Sequence, residues 1–231
     1  MEQCDKVSYL VTSSGKLGTA RCGPGRSGGG DAMALARIHE PVESWADEYE
    51  VLREKIDRAL GAVAIRIDHI GSTSVPGLAA KDVIDIQVTV AVLGDPQLVI
   101  AMTGAGFRLR PGAVNVERAR QNGNEFDHVP RGADPGDMSE WEKRYFREPE
   151  GECEVHVHVR AAGRANQRYP LLFRDYLRTH PDTASTYEDF KRRLASLDIE
   201  TGVYAEIKDP VCDLIMVAAE RWAADTGWRA A

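Results

Sequence analysis

The chain has 231 residues, 43% of them hydrophobic and 28% charged, enough for one sizeable globular domain with appendages. Its net charge of −7 argues against broad binding to a nucleic-acid backbone, which needs clustered cations. No apolar run approaches the ~20 residues that span a bilayer, the N-terminus lacks the apolar core of a secretory signal, and Cys4, Cys22, Cys153 and Cys212 form no CxxC pair; a cytoplasmic protein with reduced thiols is expected.

Residues 1–36 carry Gly23, Gly25 and Gly28 to Gly30 and no periodic apolar pattern. Such a segment buries too little surface to offset its ordering entropy, so a disordered arm is predicted. The Gly28–Gly30 run also matches a purine-rich ribosome-binding site read as protein, which would put the true start at Met33. The domain is expected over 37–225, with 226–231 as a tail. From Pro41, the residues Val42, Trp45, Tyr49, Leu52, Ile56 and Leu60 recur at helical spacing up to Gly61. Val63, Ile65 and Ile67 then alternate with Ala64, Arg66 and Asp68 as a strand.

A Ser/Gly/Pro turn follows, and Val83 to Val92 form a second strand. Ile84, Ile86, Val88 and Val90 share one face of it; Asp85, Gln87 and Thr89 share the other. Asp95-Pro96 reads as the cap and first turn of a helix running to Gly104 or Gly106. Phe107 to Arg118 holds a strand or hairpin broken at Pro111-Gly112, and 119–140 shows no clear element. Cys153 to Arg160 is a clear strand, with Cys153, Val155, Val157 and Val159 opposite Glu154, His156 and His158. Helices are predicted over 165–179, Thr183 to Leu197, and Pro210 to Trp222 with Asp209 as cap. The order favours an α+β fold: a mixed sheet with helices and a helical C-terminal third.

Gly71 lacks a side chain, so it and Ser72, with Thr73 and Ser74 beyond, can bring backbone and hydroxyl donors close to a phosphate. Asp85 among aliphatics is costly unless it meets a metal or a donor; pairing with an arginine is the plainer alternative. Gln87, on the same face, is a neutral and weaker metal ligand. His156 and His158 can hold one metal or contact one phosphate, with Glu154 as a further carboxylate. Arg160, Arg164, Arg168, Arg174 and Arg178 surround a single acid, Asp175, and read as a triphosphate clamp or as a solvated helix face. Lys81 flanks the turn, and Asp127-His128 is a weaker dyad. No GxSxG elbow and no Walker A loop is present.

Gly-Ser followed about a dozen residues later by Asp on a buried strand resembles polymerase-β-type nucleotidyltransferases. The strings HIGSTSVPGLAAKDVID (His69–Asp85) and RYPLLFRDYLRTHP (Arg168–Pro181) resemble signatures of the GrpB-like family. So do Tyr187 with Lys191, and Lys208-Asp209-Pro210; the resemblance runs from Ile38 to Trp222. It implies a nucleotidyltransferase-like mixed sheet and Mg²⁺-dependent binding of ATP or another NTP. The nucleotidyl group would pass to a small-molecule acceptor, with adenylate-forming ligation as a variant of the same chemistry. Asp85 would hold the metal with Glu154 and His158, and His156 would be the base. Gly71, Ser72, Thr73, Ser74, Lys81, Arg168, Arg174 and Lys208 would meet the nucleotide. Members generally lack the second acid, and some are fused to dephospho-coenzyme A kinase, where the domain is thought to help folding. A non-catalytic nucleotide-binding or folding accessory module is therefore the alternative, and a His-ligated metal hydrolase is a third.

Overall fold

The computed structural model describes residues 8–11, 17–20, 34–110, 137–149 and 153–230. Within the predicted arm, strands β1 (Ser8–Val11) and β2 (Leu17–Ala20) pair antiparallel with each other. The arm's last residues join the domain: Ala36 is buried, and Thr201 donates its N–H and hydroxyl to the Ala34 carbonyl at 2.9 and 2.8 Å. The glycine run before Met33, the stretch from Pro111 to 136, and the Asp127-His128 dyad lie outside the described residues.

Helix α1 (Ser44–Leu60) buries Trp45, Leu52, Ile56 and Leu60 at helical spacing. It begins at Ser44 rather than Pro41, leaving Val42 exposed. Strand β3 (Ala64–Ile70) departs from the expected alternation, because a register shift between Ala64 and Arg66 turns Ile65 outward while Ile67 packs inward. β4 (Ile84–Val90) is regular, with Ile84, Ile86, Val88 and Val90 all at 1% exposure or less. Helix α2 (Pro96–Gly104) starts as predicted: Asp95 accepts the Gln97 N–H at 2.8 Å, and Pro96 occupies the first turn.

The sheet is completed by β5 (Arg108–Leu109), β6 (Lys143–Arg147) and β7 (Val155–Ala161). Strand order is β3-β4-β7-β6-β5; the β4–β7 pair is parallel and every other pair is antiparallel. The mixed sheet with five described α-helices is α+β, as expected, and consistent with a nucleotidyltransferase-like fold. Strand β6 escaped the sequence reading because Tyr145 and Phe146 point to opposite faces and both are fully buried, so polarity does not alternate.

One face of the sheet packs on α1 and α2. Helices α3 (Ala165–Thr179), α4 (Pro181–Ala195) and α5 (Thr201–Thr226) build a second core around Leu172, Tyr176, Leu177, Tyr187 and Met216. α5 corrects the expectation of a helix capped by Asp209. It begins at Thr201 and runs through Pro210, so Lys208 and Asp209 are mid-helix. α4 likewise opens on Pro181 itself. The tail is anchored too, since Trp228 packs on the second core and donates Nε1–H to Asp175 at 3.1 Å. Of the four thiols expected to be reduced, Cys212 is free and buried, and Cys4 and Cys22 lie outside the described residues. Among the described residues no helix is long and apolar enough to cross a membrane.

Helix α3 is locked to β4 through Gln87. Its Nε2 donates to the Gln167 carbonyl at 2.9 Å, and its Oε1 accepts from Arg160 Nη1 at 2.6 Å. Only a group with both a donor and an acceptor satisfies that pair. Gln87→Leu would strand a buried carbonyl and a buried guanidinium. It is expected to destabilise the fold by about 2–4 kcal/mol, read as a lower melting temperature in thermal denaturation.

Candidate metal centre and the glycine-serine turn

Parallel pairing sets Asp85 beside His156 and Gln87 beside His158, so one carboxylate and two imidazoles share a face. The Asp85, His156 and His158 ligand atoms lie within 4.8 Å of one another. His156 Nδ1 is 3.1 Å from Asp85 Oδ1, and His158 Nε2 is 3.8 Å from the same oxygen. Tyr145 of β6 supports both rings, with centroids 5.7 and 5.0 Å away.

Glu154 does not join this trio. It lies 3.2 Å from Nε2 of His156, the ring nitrogen opposite Asp85, and is itself held by Arg147 Nη2 at 2.9 Å. A carboxylate on the far nitrogen fixes the ring so that Nδ1 faces the centre, a positioning role rather than the ligand role expected. Lys143 Nζ lies 3.3 Å from Nδ1 of His158; an ammonium there donates, so unlike Glu154 it favours the tautomer with the proton on Nε2, which then faces Asp85. Lys143, Tyr145 and Arg147 were not foreseen because β6 was not.

Burial opposes ionisation of Asp85, yet the hydrogen bonds and charges of His156 and His158 outweigh it and hold the carboxyl well below the usual range. For His158 burial comes first, reinforced by Lys143 and Arg160, and pushes the imidazole well below its ordinary value despite Asp85. An ionised carboxylate and a neutral imidazole are the protonation states that bind a cation. Two nitrogens and one oxygen suit Mn²⁺, Fe²⁺ or Zn²⁺ better than Mg²⁺, which favours oxygen ligands.

Gly71 is glycine for a steric reason. Its φ is +71°, and a Cβ there would strike the Asp85 carboxylate and lie 2.9 Å from Asp85 Cβ. The turn's side chains serve the fold. Thr73 donates to the Val83 carbonyl at 3.1 Å and receives His69 Nε2 at 3.0 Å; Ser74 donates to the Gly71 carbonyl at 2.6 Å. Arg178 clamps the Ser74 carbonyl at 3.0 and 2.6 Å. Ser72 Oγ lies 3.1 Å from Lys191 Nζ.

The expected triphosphate cations also sit largely elsewhere. Arg174 is buried against the His69 carbonyl, Asp68 and Asp175. Arg168 pairs with Glu220 and stacks over Trp228. Lys208 lies 3.7 Å from both Asp209 and Cys212. Lys81 lies over the Tyr204 ring at 5.9 Å, and its charge reaches Glu154, contributing to the lowered pKa of that carboxyl. A cavity of about 300 Å³ beside Arg66, Thr89 and Gln167 lies at the other end of β4 from the trio.

A family model described as "GrpB protein" matches residues 36–217. A dephospho-CoA kinase of Mycolicibacterium paratuberculosis is 34% identical over 206 residues, covering 86% of this chain and 49% of that protein. The UPF0157 protein SCO7215 of Streptomyces coelicolor is 36% identical over 168 residues, covering 72% of this chain and 74% of that one. This chain thus spans about half the length of the kinase-named relative. Among solved structures, the crystal structure of conserved protein GrpB from Enterococcus faecalis superposes with a TM-score of 0.60. Identity there is 26%, over 80% of this chain and 99% of that one.

Two outcomes follow from the turn. Gly71→Ala should displace Asp85 and weaken Mn²⁺ or Zn²⁺ binding roughly tenfold or more by titration calorimetry. His69, stacked on Tyr49 and buried, is pushed down from 6.5 to about 4. The unfolded chain therefore takes up a proton before the folded one does. His69 stabilises fully above pH ~6.5 and loses that contribution, on the order of 3 kcal/mol, as pH falls towards 4. His69→Gln, which keeps a donor to Thr73, should flatten denaturation midpoints across that window.

Proposed function

The chain belongs to the GrpB family, and on that premise we propose that it is a divalent-metal-dependent nucleotidyltransferase acting on a small-molecule acceptor. The observation that carries this reading is the contact between two features: the Asp85–His156–His158 trio and the Gly71 turn packed against Asp85. Kinase-named relatives that contain a similar segment support a role connected with nucleotides.

In this reading Asp85, His156 and His158 would hold the ion, Glu154 would keep the His156 ring aimed at it, and the His158 ring would have to give up the proton that Lys143 favours on Nε2. A bound ion would supply Lewis-acid stabilisation of the charge developing on the oxygens around the transferred phosphorus. The donor set selects Mn²⁺ or Zn²⁺ over Mg²⁺. His156, whose two nitrogens face Asp85 and Glu154, is a ligand rather than a free base. With Thr73 and Ser74 turned inward, the turn offers a phosphate its backbone rather than those hydroxyls. Arg174 braces the end of β3 and takes no part in nucleotide binding. The nucleotide is ATP or another NTP.

The two-imidazole donor set also supports a second reading, a metal-dependent phosphohydrolase. The products separate the two: pyrophosphate with a nucleotidylated acceptor for transfer, inorganic phosphate for hydrolysis.

The test is thermal stability of the wild type and Asp85→Asn with ATP, GTP, CTP and UTP, each with Mn²⁺, Zn²⁺ or Mg²⁺. At a hundredfold excess over its dissociation constant, the bound nucleotide should add about 2.7 kcal/mol, a rise of roughly 5–10 °C. The rise should be larger with Mn²⁺ than with Mg²⁺ and absent in Asp85→Asn. No rise with any pair, or a rise that survives in the mutant, overturns the proposal.

A further inference from the structure

Lys191 of α4 is 2% exposed, and its amine ends at the glycine-serine turn. Its Nζ lies 3.1 Å from Ser72 Oγ and 2.5 Å from the Ala79 carbonyl oxygen. Its hydrogen-bond partners are thus a hydroxyl and a carbonyl, not a carboxylate, and an ammonium buried that way is poorly compensated. Burial pushes the amine down to about 7. Nζ donates to both Ser72 Oγ and the Ala79 carbonyl; loss of one proton frees a lone pair that can accept the Ser72 O–H at the same distance. Tyr187, one helical turn earlier, lays its ring 4.8 Å from Nζ, and its hydroxyl lies 3.5 Å from Cys212 Sγ.

The groups acting on the amine are Glu188 and Arg192 of α4 and Lys208 and Cys212 of α5. Glu188 is spent on the Ala79 N–H at 2.8 Å and on Arg192 at 2.9 Å. The cluster has the parts of an activated nucleophile: a hydroxyl, a base within hydrogen-bond reach, and a third group that orients the base. Ser72 is half-buried and follows Gly71, whose backbone abuts Asp85.

We propose that Ser72 is a covalent acceptor for the nucleotidyl group, with Lys191 as its general base. The inference rests on the nucleotidyl-transfer reading above. The bond that forms joins Ser72 Oγ to the α-phosphorus of the NTP. The bond that breaks joins that phosphorus to the oxygen bridging to the β-phosphorus. Pyrophosphate leaves, and the Ser72 proton goes to Lys191 Nζ. The product is a serine phosphodiester on the chain.

The experiment incubates the full chain with ATP and Mn²⁺, then uses intact-mass spectrometry and peptide mapping, beside the thermal shift with the same pair. One adenylyl group on Ser72 is expected, with none in Ser72→Ala. The wild-type rate should rise about tenfold per pH unit up to about 7 and level off above it. Lys191→Arg keeps the donors but cannot give up its proton, so it should slow the reaction roughly 100-fold and lose that inflection. If Lys191→Arg does not fold, Ser72→Ala and the wild-type pH profile still decide. A thermal shift without an adduct overturns the Ser72 proposal alone. Absence of both overturns the nucleotidyl-transfer reading with it. An adduct that persists in Ser72→Ala, or a rate without an inflection near 7, also overturns the proposal.

Discussion

The parallel pairing of β4 with β7 is the contact on which the rest of the molecule rests. It joins residues some seventy positions apart and stacks two rows of side chains in register. On one face Ile84, Ile86, Val88, Val155, Val157 and Val159 make the floor of the first core. On the other, Asp85 with His156, Gln87 with His158, and Thr89 with Arg160 form a polar row. Burying a polar row is costly where its members lack partners: Gln87 finds two, whereas Thr89 Oγ1 and Arg160 Nε find none among the described residues. α3 supplies one of the two partners of Gln87, through the Gln167 carbonyl.

That row explains an amide at position 87. A carboxylate there would face the lone pairs of the Gln167 carbonyl. An amide gives its N–H₂ to that carbonyl and its oxygen to Arg160, whose own guanidinium is pushed down to about 9 by burial. The position belongs to the joint between sheet and helix, and the charge needed to hold a cation is concentrated on Asp85. There the balance differs: Asp85 is part-exposed at the end of the row, and two imidazoles more than repay the burial of its charge.

The turn between β3 and β4 shows the same division of labour. Gly71 is needed because Asp85 occupies the space a side chain would fill. Thr73, Ser74, Arg174 and Arg178 hold the turn rigid from inside, and His69 joins them by staying neutral in a buried stack. The second core reaches the same turn from below through Lys191 and Tyr187, so the helical third of the chain and the sheet meet at Ser72. This arrangement places pre-organised backbone beside the candidate centre on a rigid frame.

Much of this was legible in the sequence. Strict alternation through Ile84 to Val90 and Val155 to Arg160 marked two strands with one apolar face each, and it placed Asp85, His156 and His158 on polar faces because strand geometry has a period of two. Helical spacing marked α1, and a capped start marked α2. What local pattern could not supply was pairing. That Asp85 lies opposite His156, that Glu154 lies on the far side of that ring, and that Gln87 joins a helix are consequences of register between distant segments. Strand β6 was hidden because burial on both faces erases the alternation that reveals a strand, and the arginines of α3 looked like one clamp although packing sends Arg168 and Arg174 to different acids. The sequence by itself determined which residues are polar, small or apolar and on which face of their own element they stand. Only the tertiary structure decided which of them meet, because a partner far away in the chain leaves no mark on local periodicity.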